Sequence, residues 1–202
     1  MYRNKILTSV SRLCALVLVI LISPLFIFIF LLLLLHLREY PLFLQKRLGL
    51  NGRIFLLVKF KTMVTQFDAH GVLLPDKKRT TRFGNFLRST SLDEIPSLIN
   101  IILGDMVFVG PRPLPSFYAS RYSRRQWSRH EVYPGITGLA QVRGRNSINW
   151  NRKFALDLAY IEHQSFCLNL KILYHTACVV LRRSGVNADG GGSMPPFRGN
   201  NR

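Results

Sequence analysis

Acidic residues are scarce in this chain. Ten Asp and Glu stand against 28 Lys and Arg in 202 residues, a net charge of +18. Any metal or acid–base chemistry must draw on that short set, and only Asp93 and Glu94 are adjacent in it. Cysteine is scarce too. Cys14, Cys167 and Cys178 sit in apolar contexts without CxxC spacing, which argues against a disulfide scaffold and for reduced, buried thiols in a cytoplasmic compartment. The five histidines lack metal-ligand spacing, so no zinc site is expected. No internal repeat is present.

The basic excess implies anionic partners: nucleic acid, phospholipid or phosphorylated substrates. Charge is missing altogether from Leu13 to Leu35, a run of 23 residues. As a straight helix it would reach ~35 Å at ~1.5 Å per residue, enough for a ~30 Å hydrocarbon core. His36-Leu37-Arg38-Glu39 follows in place of a small-residue cleavage site, so the segment does not read as a signal peptide. Pro24 has no N–H for the Ile20 carbonyl and crowds it, which predicts a kink. Ser23 can turn its hydroxyl back to the Val19 carbonyl and support that bend within lipid. Basic residues flank both ends (Arg3, Lys5 and Arg12; Arg38, Lys46, Arg47 and Arg53), which favours keeping both in the cytoplasm. The expectation is a re-entrant helix–break–helix over residues 1–37, with Ser23-Pro24 at the break; the alternative is a Pro-kinked transmembrane span.

Residues 38–183 are expected to form a cytoplasmic catalytic domain. Pro41 to Leu50 reads as a loop and Asn51-Gly52 as a turn. Ile54 to Phe60 reads as a strand with Phe55, Leu57, Lys59 and Lys61 on one face. Those lysines suit phosphate contact or a solvated face equally. Basic and aromatic residues interleave over 76–88 and again over 117–133, the latter with Arg121, Arg124, Arg125 and Arg129 among Tyr118, Tyr122 and Trp127. That texture fits nucleic-acid stacking or a lipid headgroup layer. Beside the hydrophobic run, and without a recognition-helix or RNA-binding motif, it is assigned to an anionic phospholipid membrane, with no nucleic acid as partner. Residues 150–162 and 166–183 read as amphipathic helices. The Gly/Asn/Pro-rich tail, 184–202, lacks core-forming residues and reads as disordered.

The stretch from Thr90 to Pro115 carries the chemistry. Ser91-Leu92-Asp93-Glu94 matches a capping box, with Ser91 as cap. Ile95, Leu98, Ile99 and Ile102 supply an apolar stripe, and Gly104-Asp105 ends the helix. Capping alone would account for one acid. The same geometry has a functional use: a helix N-terminus lowers a carboxylate pKa and keeps Asp93 ionised as a nucleophile. A carboxylate attacking phosphate meets like-charge repulsion, so a divalent cation is required, and Glu94 is a hard oxygen ligand suited to Mg²⁺. In Pro111-Arg112-Pro113 the prolines hold Arg112 extended, either as a phosphate clamp or as a rigid turn. Asp157 can pair with Lys153 one helical turn away.

RTTRFGNFLRSTSLDEIPSLINIILGDMVFVGPRP, YPGITGLAQVRGRN and WNRKFALDLAYIEHQSF, in that order, resemble the small form of the bacterial sugar transferase family, the monotopic phosphoglycosyl transferases. The resemblance implies an α+β, mainly helical fold with a short β element, a re-entrant N-terminal hairpin and amphipathic interfacial helices. It implies that Asp93 attacks the diphosphate of a UDP-sugar, releases UMP and holds a covalent phosphosugar. Polyprenyl (undecaprenyl) phosphate then accepts it, in the first membrane step of glycoconjugate assembly. Glu94 would hold Mg²⁺, Lys59, Arg88 and Arg112 would contact phosphates, and Arg145 and Asp157 would bind nucleotide or acceptor. The implied location is the cytoplasmic face of the bacterial inner membrane. Asn169 departs from an expected aspartate, and Val107 and Asn85 depart from an expected Ser and an expected basic residue.

Overall fold

A computed structural model describes residues 2–144, 147–182 and 194–199, with side chains from residue 7 onward. The chain opens with α1 (Tyr2–Leu37), helical throughout. The expected division at Ser23-Pro24 is not seen. Pro24 deprives the Ile20 carbonyl of its donor, and the Ser23 hydroxyl donates to that same carbonyl at 2.8 Å, in place of the Val19 carbonyl foreseen from sequence. The orphaned acceptor is thus satisfied, and the helix continues.

One stripe of α1 faces protein: Thr8, Ser11, Ala15, Ile29, Leu33 and Leu37 are buried, and Leu18, Ile22 and Phe26 between them are half-buried. Their spacing of three, four or seven residues keeps them on one side of an α-helix. Before Pro24, Ala15 packs with Phe55, Leu57, Leu98, Ile101 and Met106. Beyond it, Ile29, Leu33 and Leu37 pack with Phe60 and Leu87. The other faces leave Leu13, Ile20, Leu21, Ile27, Phe28 and Leu35 more than half exposed. Such a hydrocarbon surface is not one that water covers cheaply. The helix is long and apolar enough to cross a membrane by length and composition.

Strands β1 (Leu42–Leu48) and β2 (Ile54–Phe60) pair antiparallel, Leu42 opposite Phe60 and Leu48 opposite Ile54. The stretch expected as a loop is therefore mostly strand. Its burial does not alternate, so period 2 was silent, and partnership with β2 is what orders it. Asn51 and Gly52 turn the chain with φ of 53° and 77°, as the Asn-Gly pair predicts. Two side chains close the other edge of β2. Asn100 accepts from Val58 N–H at 3.0 Å and donates to the Leu56 carbonyl at 2.7 Å, and the Ser97 hydroxyl donates to the Val58 carbonyl at 2.7 Å.

Short helices α2 (Asp76–Arg79) and α3 (Arg82–Ser89) follow, the latter capped by the Thr81 hydroxyl. A 3-10 turn over Leu92–Ser97 then leads into α4 (Leu98–Leu103). Pro96 explains the division: without an N–H it cannot join an i→i−4 ladder begun at Leu92. Leu98, Asn100 and Ile101 are the buried residues of α4, whereas Ile99 is exposed, so the stripe expected through Ile99 is shifted by one or two positions. Gly104 ends the helix in the left-handed region at φ 87°, where glycine avoids a Cβ penalty.

Strand β3 (Val107–Val109) pairs in parallel with β4 (Gly135–Thr137). Here Gly135 is required by close approach, since a Cβ would fall 2.1 Å from Gly110 N. Between them lies α5 (Arg124–Trp127), with a complete Ser123/Gln126 capping box. After β4 come α6 (Leu139–Val142), α7 (Trp150–Glu162) and α8 (Phe166–Leu181), the last two close to the helices read from sequence.

Three expectations change here. Cys14 and Cys167 are exposed and Cys178 is half-buried, so the thiols are free but not core groups. The aromatics of the second basic stretch divide: Phe117 and Trp127 are exposed, whereas others turn inward. Tyr118 is buried, and the rings of Tyr118, Tyr122, Trp150 and Phe154 gather around Phe197. The tail is accordingly not disordered over 194–199, because one phenylalanine there finds an aromatic pocket; the rest of that expectation lies outside the described residues.

Candidate active site

Asp93 and Glu94 sit in the 3-10 turn, half-buried at the wall of a cleft of about 1260 Å³. The turn starts from Ser91 at φ 58°, and the Ser91 side chain makes no capping bond, so the capping box is not formed. A left-handed entry points the hydroxyl away from the amides that a β-region cap would reach. Glu94 is instead gripped by two cations. Lys59 Nζ, from the end of β2, and Arg112 Nη2, from beyond β3, each donate to Glu94 Oε1 at 2.6 Å. Burial works against its ionisation, but Arg112 and Lys59 outweigh it and hold the carboxyl far below the ordinary range.

Asp93 differs. No hydrogen bond to its carboxylate is found among the described residues, and Lys59, Arg112 and Arg88 act on it through charge alone. Burial pushes its pKa up and Glu94 adds to the effect, against those cations. The lowered pKa expected from a helix N-terminus is therefore corrected. A six-residue 3-10 turn gives little aligned dipole, and desolvation wins.

Arg112 is fixed by more than its prolines. Arg129 Nη2 donates to the Arg112 carbonyl at 2.8 Å, and Arg47 Nη1 donates to the Pro113 carbonyl at 3.0 Å. Arg129 is itself locked to Asp157 Oδ2 through Nε at 3.1 Å and Nη2 at 2.7 Å, both side chains buried. Asp157 thus does not stand free as a ligand, nor does it pair with Lys153. Burial holds its carboxyl above the ordinary range while Arg129 opposes. Arg47 is pulled down to about 10 by burial and by Arg112, and its Nε is buried without a partner.

Lys59, Arg88, Asp93, Glu94, Arg112 and Asp157 line one cleft. Arg145 lies outside the described residues. Ser23 and Pro24 lie on α1, whose Leu18 and Ile22 reach the cleft wall. Lys61 lines the same cleft, as its shared face with Lys59 predicts, and is engaged there by Glu39 and Thr65. Asn169 accepts from the Tyr160 hydroxyl at 2.9 Å, a position that also brings that hydroxyl within 2.9 Å of the Val109 carbonyl. Arg47, Arg129 and Lys153 were missed. Their signal was lost in a chain where nearly every surface stretch is basic, and only the fold separates a buried cation from a solvated one.

The cleft also has apolar lining, with Leu18, Ile22, Ile136, Leu173, Val179 and Val180. One cavity thus joins a cation-ringed carboxylate pair to hydrocarbon beside the exposed apolar helix. As metal ligands, Asp93 and Glu94 fit only a cation that keeps water and phosphate oxygens as its other ligands, the usual habit of Mg²⁺. Among the described residues no group of three or more His, Cys, Asp or Glu could hold a metal alone.

Such a site defines an enzyme working on phosphates next to an apolar phase. The bacterial sugar transferase family profile matches residues 3–183, and the chain belongs to that family, as a phosphoglycosyl transferase. It is 49% identical over 144 residues to the uncharacterized sugar transferase EpsL of Bacillus subtilis, covering 71% of each chain. It is 36% identical over 184 residues to a UDP-glucose:undecaprenyl-phosphate glucose-1-phosphate transferase of Caulobacter vibrioides, 86% of this chain and 68% of that one. It is 36% identical over 159 residues to the undecaprenyl-phosphate galactose phosphotransferase of Salmonella typhimurium, 69% of this chain. This chain spans only about a third of that larger relative, 33%.

Proposed function

We propose that the chain moves a sugar-1-phosphate from a UDP-sugar to undecaprenyl phosphate at the cytoplasmic face of the bacterial inner membrane, beginning a lipid-linked glycan. The observation that carries the reading is the contrast within one dipeptide: Glu94 is tied by Lys59 and Arg112, whereas Asp93 beside it keeps its carboxylate unengaged. The printed activities of the Caulobacter and Salmonella relatives support the donor and acceptor classes.

In this reading an Asp93 oxygen attacks the phosphorus that bears the sugar. The bond from that phosphorus to the bridging oxygen breaks, and UMP departs with the oxygen. The phosphosugar is left on Asp93 as an acyl phosphate. A phosphate oxygen of the acceptor then attacks the same phosphorus and returns the Asp93 carboxylate. Arg112, Lys59 and Arg88 offset charge gathering on the transferred phosphoryl group. Glu94 keeps Arg112 and Lys59 aimed, and with the substrate diphosphate it would hold Mg²⁺, which supplies Lewis-acid neutralisation of the phosphate charge.

The apolar cleft wall suits a polyprenyl chain entering from the bilayer. Packing of α1 on both sides of Pro24 against one body supports a monotopic seat in a single leaflet, among anionic phospholipids, and a re-entrant path there would take a bend at Pro24. A helix crossing the membrane would carry one of those ends away from the body. Thiol-directed labelling of single cysteines at positions 9 and 40, in sealed inverted vesicles, should modify both; protection of one would support the spanning alternative.

For the chemistry, purified protein is incubated with UDP-sugar labelled in the sugar, without acceptor. Covalent label and equimolar UMP are expected, and Asp93→Asn should carry none. Release of UDP, or equal label on the variant, would overturn the mechanism.

A further inference from the structure

Residues 194–199 supply an observation that this mechanism does not use. Phe197 is buried among rings, its centroid 5.0 Å from that of Phe154 and 5.8 Å from that of Tyr118. Its N–H donates to the Tyr118 hydroxyl at 3.1 Å, and Trp150 Nε1 donates to the Pro195 carbonyl at 3.0 Å. So anchored, the segment brings Met194 to the wall of the catalytic cleft, its Sδ against Lys153 Nζ. The amine also lies 5.1 Å from the Trp150 ring centre.

That pairing is chemically lopsided. A thioether is a weak acceptor, and an ammonium is a strong donor that prefers carboxylate or phosphate oxygen. The carboxylate one turn along the helix, Asp157, is already taken by Arg129. A half-buried cation of the active cleft is therefore matched with a sulfur that any phosphate oxygen would outcompete. Its charged neighbours are Arg112 and Asp157, whereas those of Asp93 are Lys59, Glu94, Arg112 and Arg88. Lys153 is thus not among the cations that act on the nucleophile, and Arg112 is the charged neighbour that the two share.

We propose that Lys153 binds the departing phosphate, the one that becomes UMP, and that Met194 of the C-terminal segment holds that position until the nucleotide displaces it. This rests on the phosphosugar-transfer reading above. As UMP leaves with the bridging oxygen, the ammonium pairs with the charge that appears on it, and Met194 returns when UMP departs. The segment is therefore a built-in competitor for the nucleotide, anchored by Phe197 outside the cleft. Burial, with Arg112 adding and Asp157 opposing, brings the Lys153 amine down to about 8. Its grip on phosphate should weaken as pH rises through that value.

The test uses the full chain in detergent or nanodiscs, with UMP as probe and calorimetry from pH 6.5 to 9.5. The phosphate of UMP is fully ionised through most of this range, its second pKa being about 6. In the parent, affinity should fall above about pH 8. Lys153→Gln should bind UMP about 10- to 100-fold more weakly and without that fall. Lys153→Arg should restore affinity and abolish the fall, since guanidinium stays charged. Met194→Ala should tighten binding by roughly threefold, as expected when a competing state is removed. Parent-like affinity and pH profile in Lys153→Gln would overturn the assignment. Weakening by Met194→Ala would overturn the displacement. If Lys153→Gln fails to fold, the flat profile of Lys153→Arg decides. A parent that takes covalent label while Lys153→Gln binds normally sinks this proposal alone; a parent with neither label nor UMP binding sinks the functional reading.

Discussion

Glu94 and Asp157 are each clasped by an arginine, at 2.6 Å and 2.7 Å. Both pairs border the cleft, but the first is open to it, with Glu94 and Arg112 side chains 17% and 40% exposed, and the second is buried in its wall, at 4% and 3%. The two are joined in series, because Arg129 passes from Asp157 to the Arg112 carbonyl. An ion pair open to a cleft can exchange partners with substrate as it parts. A sealed pair resists parting, because either half alone would be a bare charge in a dry place. The chain uses the exchangeable pair to handle phosphate and the sealed one to hold the handler still.

The comparison can be broken in graded ways. The harshest is to remove the unengaged carboxylate beside the open pair: Asp93→Asn should abolish covalent labelling while thermal unfolding stays near that of the parent. Next, Arg112→Ala should lower kcat by about 10²–10³-fold, the scale of losing one charge-stabilising donor, with stability down by about 1 kcal/mol or less. Steady-state rates and denaturant unfolding on one preparation read both. Asp157→Asn should invert that pattern. Stability should drop by about 3–5 kcal/mol, the usual result of orphaning a buried partner, and labelling per folded molecule should survive at a reduced rate. Equal stability losses for the two variants would erase the distinction. Mildest is Ser23→Ala, in neither pair, which removes the Ser23 hydroxyl from the Ile20 carbonyl. A loss of about 1 kcal/mol is expected, seen as earlier unfolding in detergent with the labelling rate unchanged.

How legible these arrangements are from sequence depends on what kind of signal each leaves. Asp93, Glu94, Lys59, Arg88 and Arg112 stand out because carboxylates are few and the motif around them is dense, and the fold brings them to one cleft. Strand β2 and helices α7 and α8 follow from periodicity. Strand β1 does not, since its burial pattern has no period and only its partner orders it. Arg129 could not be told from Arg124 and Arg125 beside it, because burial is a property of the assembled body. Phe197 is the sharpest miss. In a glycine-rich tail a lone aromatic reads as nothing, until a ring pocket built from residues 118–154 receives it.

The stripe on α1 has a consequence for how the molecule is made. The first 37 residues leave the ribosome before any surface exists to receive that stripe. Its partners on β2 and α4 extend to Met106, several seconds later at ~5–20 residues per second. In the interval the only apolar phase on offer is the bilayer. With the membrane seat proposed above, the helix would take up lipid on all sides first, and the catalytic body would then assemble against one face of it. On that seat, insertion of this helix precedes folding of the catalytic body.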